Sequence, residues 1–206
     1  IVLAEGLSGT EETFAEAMNV KAAQIGMNNS HFMNASGWPD PEHYSTARDL
    51  ATLASYLIRT FPDYYHFYSQ IDYTYNNIKQ GNRNPLLYRN VGADGIKTGH
   101  TEAAGYGLIG SAVKNGRRVI MVVNGLENDK KRAEEATRLI SWGLSAFENT
   151  VLFKPGDPVE KVAVELGKLS TVPVTVDKEI KLTVPVNFKN DLKTEIVIAP
   201  VKAPVK

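Results

Sequence analysis

The chain has 206 residues, with 23 Lys and Arg against 23 Asp and Glu and a sequence pI near 7.1. It therefore carries neither a basic footprint for nucleic acid nor an acidic, solvating tail. An apolar fraction of 43% and a charged fraction of 22% suit a folded protein with a real core, and the absence of Cys removes disulfides, thiolate nucleophiles and Cys-ligated metals together.

The first residue is Ile1, and Ile1-Val2-Leu3-Ala4 is too short for the apolar part of a leader; it reads as the exposed end of a helix begun upstream. No apolar run approaches the length of a membrane span. Ser8-Gly9-Thr10-Glu11 has the form of a capping box. Behind it Phe14, Ala17, Met18, Ala22 and Ile25 recur at helical spacing, predicting an amphipathic helix over 10–26. A loop rich in Asn, Gly and Pro follows from Met27 to Tyr44. Thr46, with Asp49 three residues on, opens the next helix, whose stripe is Leu50, Leu53, Ala54 and Leu57 and which Pro62 ends. In the tyrosine-rich stretch from Tyr64 to Tyr75, Tyr64, Tyr65, Phe67 and Tyr68 are expected to fill core and surface.

The period then changes. Gly105–Val113 and Arg118–Asn124 alternate like strands and meet at Asn115-Gly116, the strongest short hairpin signal, with a third strand expected around Gly95–Lys97. Asp129 is expected to cap a helix striped by Ala136, Leu139, Ile140, Leu144 and Phe147. From about Thr150 the composition turns to Val, Lys, Pro and Thr. Val162–Leu166, Val172–Val176, Ile180–Val186 and Thr194–Ala199 are predicted strands of a separate module, with Pro155-Gly156 marking a linker or turn. Such short strands make a marginal core, so this module is expected to be partial. The predicted division is 1–148 and 149–206. The fold class is α+β: an antiparallel sheet with packed helices, then a smaller all-β domain.

The chemistry concentrates at Asp94-Gly95-Ile96-Lys97-Thr98-Gly99-His100-Thr101. A bare Lys-Thr-Gly is a weak signal. Here it opens a predicted hairpin sheet followed by a long amphipathic helix, the context in which serine β-lactamases and penicillin-binding proteins carry their third motif. An edge strand offers unpaired backbone groups to an extended peptide. Gly99 lets a ligand come close to that backbone, while Lys97 and Thr98 put a cation and a hydroxyl beside it, suited to an anionic peptide end. The plain structural reading is a solvated lysine at a strand end.

Further residues extend the match. Asn82-Arg83-Asn84 and Ala104-Gly105-Tyr106 flank the motif, with Tyr44-Ser45-Thr46-Ala47-Arg48-Asp49-Leu50 before it and Glu134-Glu135-Ala136-Thr137-Arg138-Leu139 after it. Together these resemble the D-alanyl-D-alanine carboxypeptidases among the low-molecular-mass penicillin-binding proteins. The likeness runs from Ile1 to about Phe147 and, more loosely, through the β-rich module. It implies a lysine, Lys97, that helps hold the substrate and eases proton transfer at the serine, with Thr98 and Gly99 at the substrate. It places His100 and Arg132 near the substrate carboxylate and Arg83 at the cleft edge. For Arg83 a structural role, pinning its loop by hydrogen bonds, is the competing reading.

The family's other two motifs are Ser-x-x-Lys, giving nucleophile and base, and Ser-x-Asn. No Ser-x-Asn occurs in these residues. The one Ser-x-x-Lys, Ser111-Ala112-Val113-Lys114, lies on a predicted strand, where residues three apart face opposite sides. It also follows Lys97 instead of preceding it, and it is rejected as the nucleophile. The chain is thus expected to begin just after the second motif and to be inactive alone.

The resemblance implies serine-type trimming of peptidoglycan stem pentapeptides through an acyl-enzyme, with β-lactams at the same serine, in the periplasm or another extracytoplasmic space. No metal or organic cofactor is implied, and His31, His43, His66 and His100 show no metal-ligand spacing. Asn28-Asn29-Ser30 and Asn34-Ala35-Ser36 fit glycosylation sequons, a common and weak match. The expected partners are stem peptides, β-lactams and the preceding segment of the same protein; contact with a membrane would need an anchor helix outside these residues. A D,D-endopeptidase, a β-lactamase relative and a non-catalytic peptide-binding module are the rival readings.

Overall fold

A computed structural model describes residues 1–193, 195–199 and 201–203. The chain divides into two compact units, Ile1–Leu144 and Ser145–Lys206.

The first unit opens with α1 (Val2–Ser8) and α2 (Glu11–Ile25). Ser8 is the last residue of α1, so the cap of α2 is Thr10, whose Oγ1 accepts from the Thr13 N–H at 3.1 Å. Gly26, at φ 88°, closes α2 in the left-handed conformation. Helix α3 (Ala47–Thr60) starts at Thr46, whose side chain accepts from the Asp49 N–H. Pro62 both ends α3 and sits in the first turn of the short α4 (Pro62–Tyr65), where its missing N–H costs nothing.

The tyrosine-rich stretch runs into a hairpin that sequence patterning did not predict, β1 (Asp72–Tyr75) paired with β2 (Ile78–Gly81). Asn76 and Asn77 turn it at φ 46° and 59°, the left-handed values that a tight hairpin requires and Asn tolerates. The main sheet is antiparallel, in the order β3 (Ala93–Thr101), β4 (Gly105–Lys114), β5 (Arg117–Leu126). Strand β3 is much longer than the few residues expected. Asn115 and Gly116, both at positive φ, close the β4–β5 hairpin.

Helix α5 (Asp129–Ser145) is capped one residue earlier than expected: Asn128 Oδ1 accepts from the Lys131 N–H at 2.8 Å. Phe147 leaves the predicted stripe and pairs instead with Pro185 in a strand. The sheet is covered on both faces. Leu108, Ala112 and Met121 pack with Leu86 and with Ala136 and Ile140 of α5. Ile109 and Ile120 pack against Ala54 of α3 and Tyr65. Each fully buried Leu or Ile here contributes about 1.5–3 kcal/mol.

In the second unit β6 (Phe147–Phe153) pairs with β9 (Ile180–Pro185). Strand β7 (Pro158–Glu165) lies between β8 (Thr171–Thr175) and the parallel β10 (Val201–Lys202). Three expectations change here. Asn149–Phe153, for which no strand was predicted, is strand, ahead of the Pro155-Gly156 turn. Leu166, placed in a strand, sits in a turn at φ 59°. Glu195–Ala199 belongs to no strand, and Thr194 lies outside the described residues.

Candidate active site

Strand β3 has β4 on one side only, so within this sheet its other edge is free. Along it Lys97, Gly99 and His100 are exposed, whereas Thr98 is 9% exposed. A Cβ built at Gly99 meets nothing within 4 Å. Packing therefore does not demand glycine there, and the space in front of the backbone stays open. Lys97 Nζ donates to the Thr98 carbonyl at 2.5 Å, which holds the ammonium against its own strand.

These residues border an open groove of about 930 Å³ that also gathers Ser36, Gly37, Arg83, Thr101, Tyr106, Asp129 and Arg132. One lysine and two arginines face it against the single carboxylate of Asp129, so the groove favours an anion. All six residues singled out from sequence (Lys97, Thr98, Gly99, His100, Arg132 and Arg83) thus lie on one concave surface.

Three elements supply the wall opposite and beside the strand. His100 pairs with Tyr106 across the β3–β4 ladder, and their rings stack at 3.9 Å between centroids. Arg132, in the first turn of α5, lays its guanidinium 5.4 Å from the centre of the same Tyr106 ring. Its Nε is buried and has no hydrogen-bond partner among the described residues. The loop around Arg83 is pinned by that residue's neighbours. Asn82 Nδ2 donates to the Gln70 carbonyl at 2.9 Å, and Asn84 Oδ1 accepts from the Leu86 N–H at 3.1 Å. The hydrogen bonds expected of Arg83 as a structural pin are made by Asn82 and Asn84, and Arg83 itself is exposed at the groove.

The start of β3 is fixed from behind. Asp94 receives Arg118 Nη1 at 2.7–2.8 Å and the Tyr65 hydroxyl at 3.2 Å, and Arg118 also reaches Ser111 Oγ at 2.6 Å. Burial pushes the Tyr65 phenol up to about 12, which keeps it a donor across the ordinary pH range. Ser111 is 0% exposed and held by Arg118, while Lys114 is exposed at the strand end. A fully buried serine held by a guanidinium has no access to substrate.

Sequence reasoning left Tyr106 without a role, although a hairpin turning between Thr101 and Gly105 puts residue 106 opposite residue 100. Ser36 and Gly37 carried no comparable signal, because a loop has no period that places its residues against a distant strand.

A family model for D-alanyl-D-alanine carboxypeptidase matches residues 1–128, and one for the penicillin-binding protein 5 C-terminal domain matches residues 147–206. The D-alanyl-D-alanine carboxypeptidase DacA of Haemophilus influenzae is 36% identical over 201 residues, 97% of this chain and 51% of that protein. The crystal structure of penicillin-binding protein 5 from the same organism superposes with a TM-score of 0.84 at 36% identity, covering 98% of this chain and 60% of that one. Penicillin-binding protein D2 of Listeria monocytogenes in its cefotaxime-bound form gives a TM-score of 0.60 at 34% identity, over 65% of this chain and 60% of that one. The chain spans about half the length of the curated relatives it matches. With its Lys-Thr-Gly strand set in a cationic groove, and with these matches over nearly its whole length, the chain belongs to the D-alanyl-D-alanine carboxypeptidase family.

Proposed function

We propose that these residues form the Lys-Thr-Gly wall of the active site of a serine-type D-alanyl-D-alanine carboxypeptidase. The observation that carries this reading is the free edge of β3, with Lys97 and Gly99 exposed on it, bordering a groove that collects Arg83, His100 and Arg132. A stem peptide lies along that edge in extended form, with its terminal carboxylate toward the arginines. A serine on a residue outside these 206 attacks the carbonyl of the penultimate D-alanine. The terminal D-alanine leaves with a proton, and water then hydrolyses the acyl-enzyme. Lys97 stabilises the negative charge of the bound peptide end and lowers the cost of moving the proton to and from the serine. β-Lactams, which resemble the D-Ala-D-Ala end, acylate the same serine. The site of action is the extracytoplasmic cell envelope, where peptidoglycan lies. Among the described residues no helix is long and apolar enough to cross a membrane.

Intact-mass measurement after incubation with penicillin tests this reading. A protein of the relatives' full length is expected to gain one adduct and to release D-alanine from a pentapeptide, whereas the 206-residue chain gains none. A stoichiometric adduct on Ser111 or another serine of these residues contradicts it.

A further inference from the structure

The groove's cationic end is organised around one aromatic ring. Tyr106 stands at the start of β4, paired with His100 across the ladder, immediately before a register shift between Tyr106 and Leu108. One neighbour of its ring is the His100 imidazole, at 3.9 Å and 35° between planes. The other is the Arg132 guanidinium, 5.4 Å from the ring centre. All three side chains line the same groove.

Arg132 needs such a support. It projects from the first turn of α5, where the helix dipole disfavours a cation. Among the described residues its buried Nε has no hydrogen-bond partner, and no ion pair holds its side chain. A guanidinium without protein partners keeps many rotamers, and ordering it on ligand binding costs free energy. The aromatic face restricts it without occupying its N–H donors, because the attraction is to the ring and not to a lone pair. With Nε buried, the terminal Nη donors are left for a ligand.

We infer that Tyr106 is a positioning and specificity-determining residue, the plate that holds Arg132 and His100 ready for the free carboxylate of the substrate. The inference rests on the carboxypeptidase reading and deepens it, since it assigns the preference for a free carboxyl terminus to a ring that makes no charged contact itself. The ring face carries this role and the hydroxyl does not.

The test compares acylation of the full-length protein by a β-lactam with a free carboxylate and by the same β-lactam as its carboxamide. The ratio of the two second-order rate constants reads the selectivity for the carboxylate. Tyr106→Leu removes the face and keeps an apolar side chain of moderate size. Its ratio is expected to fall at least about fivefold, the size of one partly desolvated cation–π contact, and Tyr106→Phe is expected to restore it. In an Arg132→Ala background Tyr106→Leu is expected to change the ratio much less, because the group that the ring holds is gone. Equal loss of both rates in Tyr106→Leu, leaving the ratio unchanged, overturns the inference and makes Tyr106 a structural residue. A wild-type protein that is acylated equally by acid and amide overturns both this role and the carboxylate-binding part of the carboxypeptidase reading. Acylation intact with a strong preference for the acid, unaltered by Tyr106→Leu, overturns this role alone.

Discussion

Two lysines of this chain lie in similar-looking sequence and in different surroundings. Lys97 follows a buried isoleucine on a free strand edge and faces a groove; Lys114 ends β4 in solvent, three residues after a serine that Arg118 seals in. Behind Lys97, the position of the strand depends on Asp94, Arg118 and Tyr65. Because burial raises the Tyr65 phenol from an ordinary 10.0 to about 12, its stabilising effect is complete below the unfolded value. That effect is lost as pH climbs from about 10 through 12. Urea midpoints measured from pH 8 to 12 should therefore decline above pH 10, and Tyr65→Phe should flatten that decline. At neutral pH the same variant should lose about 1 kcal/mol with the hydrogen bond to Asp94. An unchanged alkaline limb in the Tyr65→Phe protein would assign the decline to other groups.

At the scale of elements, local chemistry was legible where it repeats and in part where it caps: Thr46 caps α3 as expected, whereas the caps of α2 and α5 fall at Thr10 and Asn128. The Asn115-Gly116 turn, the β4 and β5 alternation and the Thr46 cap follow from rules that act within a few residues. The β1–β2 hairpin escaped because its strands are exposed along their whole length, so no apolar alternation marks them. Strand β6 escaped for a related reason: its partner β9 lies some thirty residues away, and a non-local pairing leaves little trace in either segment alone. The loop that brings Ser36 and Gly37 to the groove is tied down by Asp49, which is 3% exposed and accepts from Ser30 Oγ at 2.7 Å and the Asn29 N–H at 2.8 Å. The Ser30 hydrogen bond above all holds this carboxyl below the usual aspartate range. Its contribution is present above that range and fades as pH falls through the lowered folded value. Asp49→Asn should lower the thermal midpoint at pH 7 and narrow its difference from wild type as pH drops below 4. A difference that stays constant with pH would contradict this.

Two glycines separate fold from site at the same scale. Gly92 sits at φ 74° with a would-be Cβ only 2.4 Å from the Val113 carbonyl oxygen, so Gly92→Ala should cost about 1–3 kcal/mol. Gly99 faces open space, and Gly99→Ala should change stability by less than about 0.5 kcal/mol in chemical denaturation. Equal losses would mean that the motif glycine is there for the fold.

For the whole molecule, the division at Leu144/Ser145 falls before β6, and Asn149–Phe153, just ahead of the predicted Pro155-Gly156 turn, is a paired strand and not an open linker. Limited trypsin digestion should instead cut first after Lys168, in the exposed turn between β7 and β8, and later at Lys161 and Lys181 within strands. In the first unit, Lys97 is proposed to belong to an acyl-transfer site. The measurement that tests it most directly is the rate of penicillin acylation in the full-length protein carrying Lys97→Ala or Lys114→Ala. A charge-assisted contact contributes about 1.5–3 kcal/mol, so Lys97→Ala should slow acylation at least about tenfold at nearly unchanged stability. Lys114→Ala should leave the rate as it was. Small and equal effects of the two substitutions would make Lys97 a surface lysine and contradict the account.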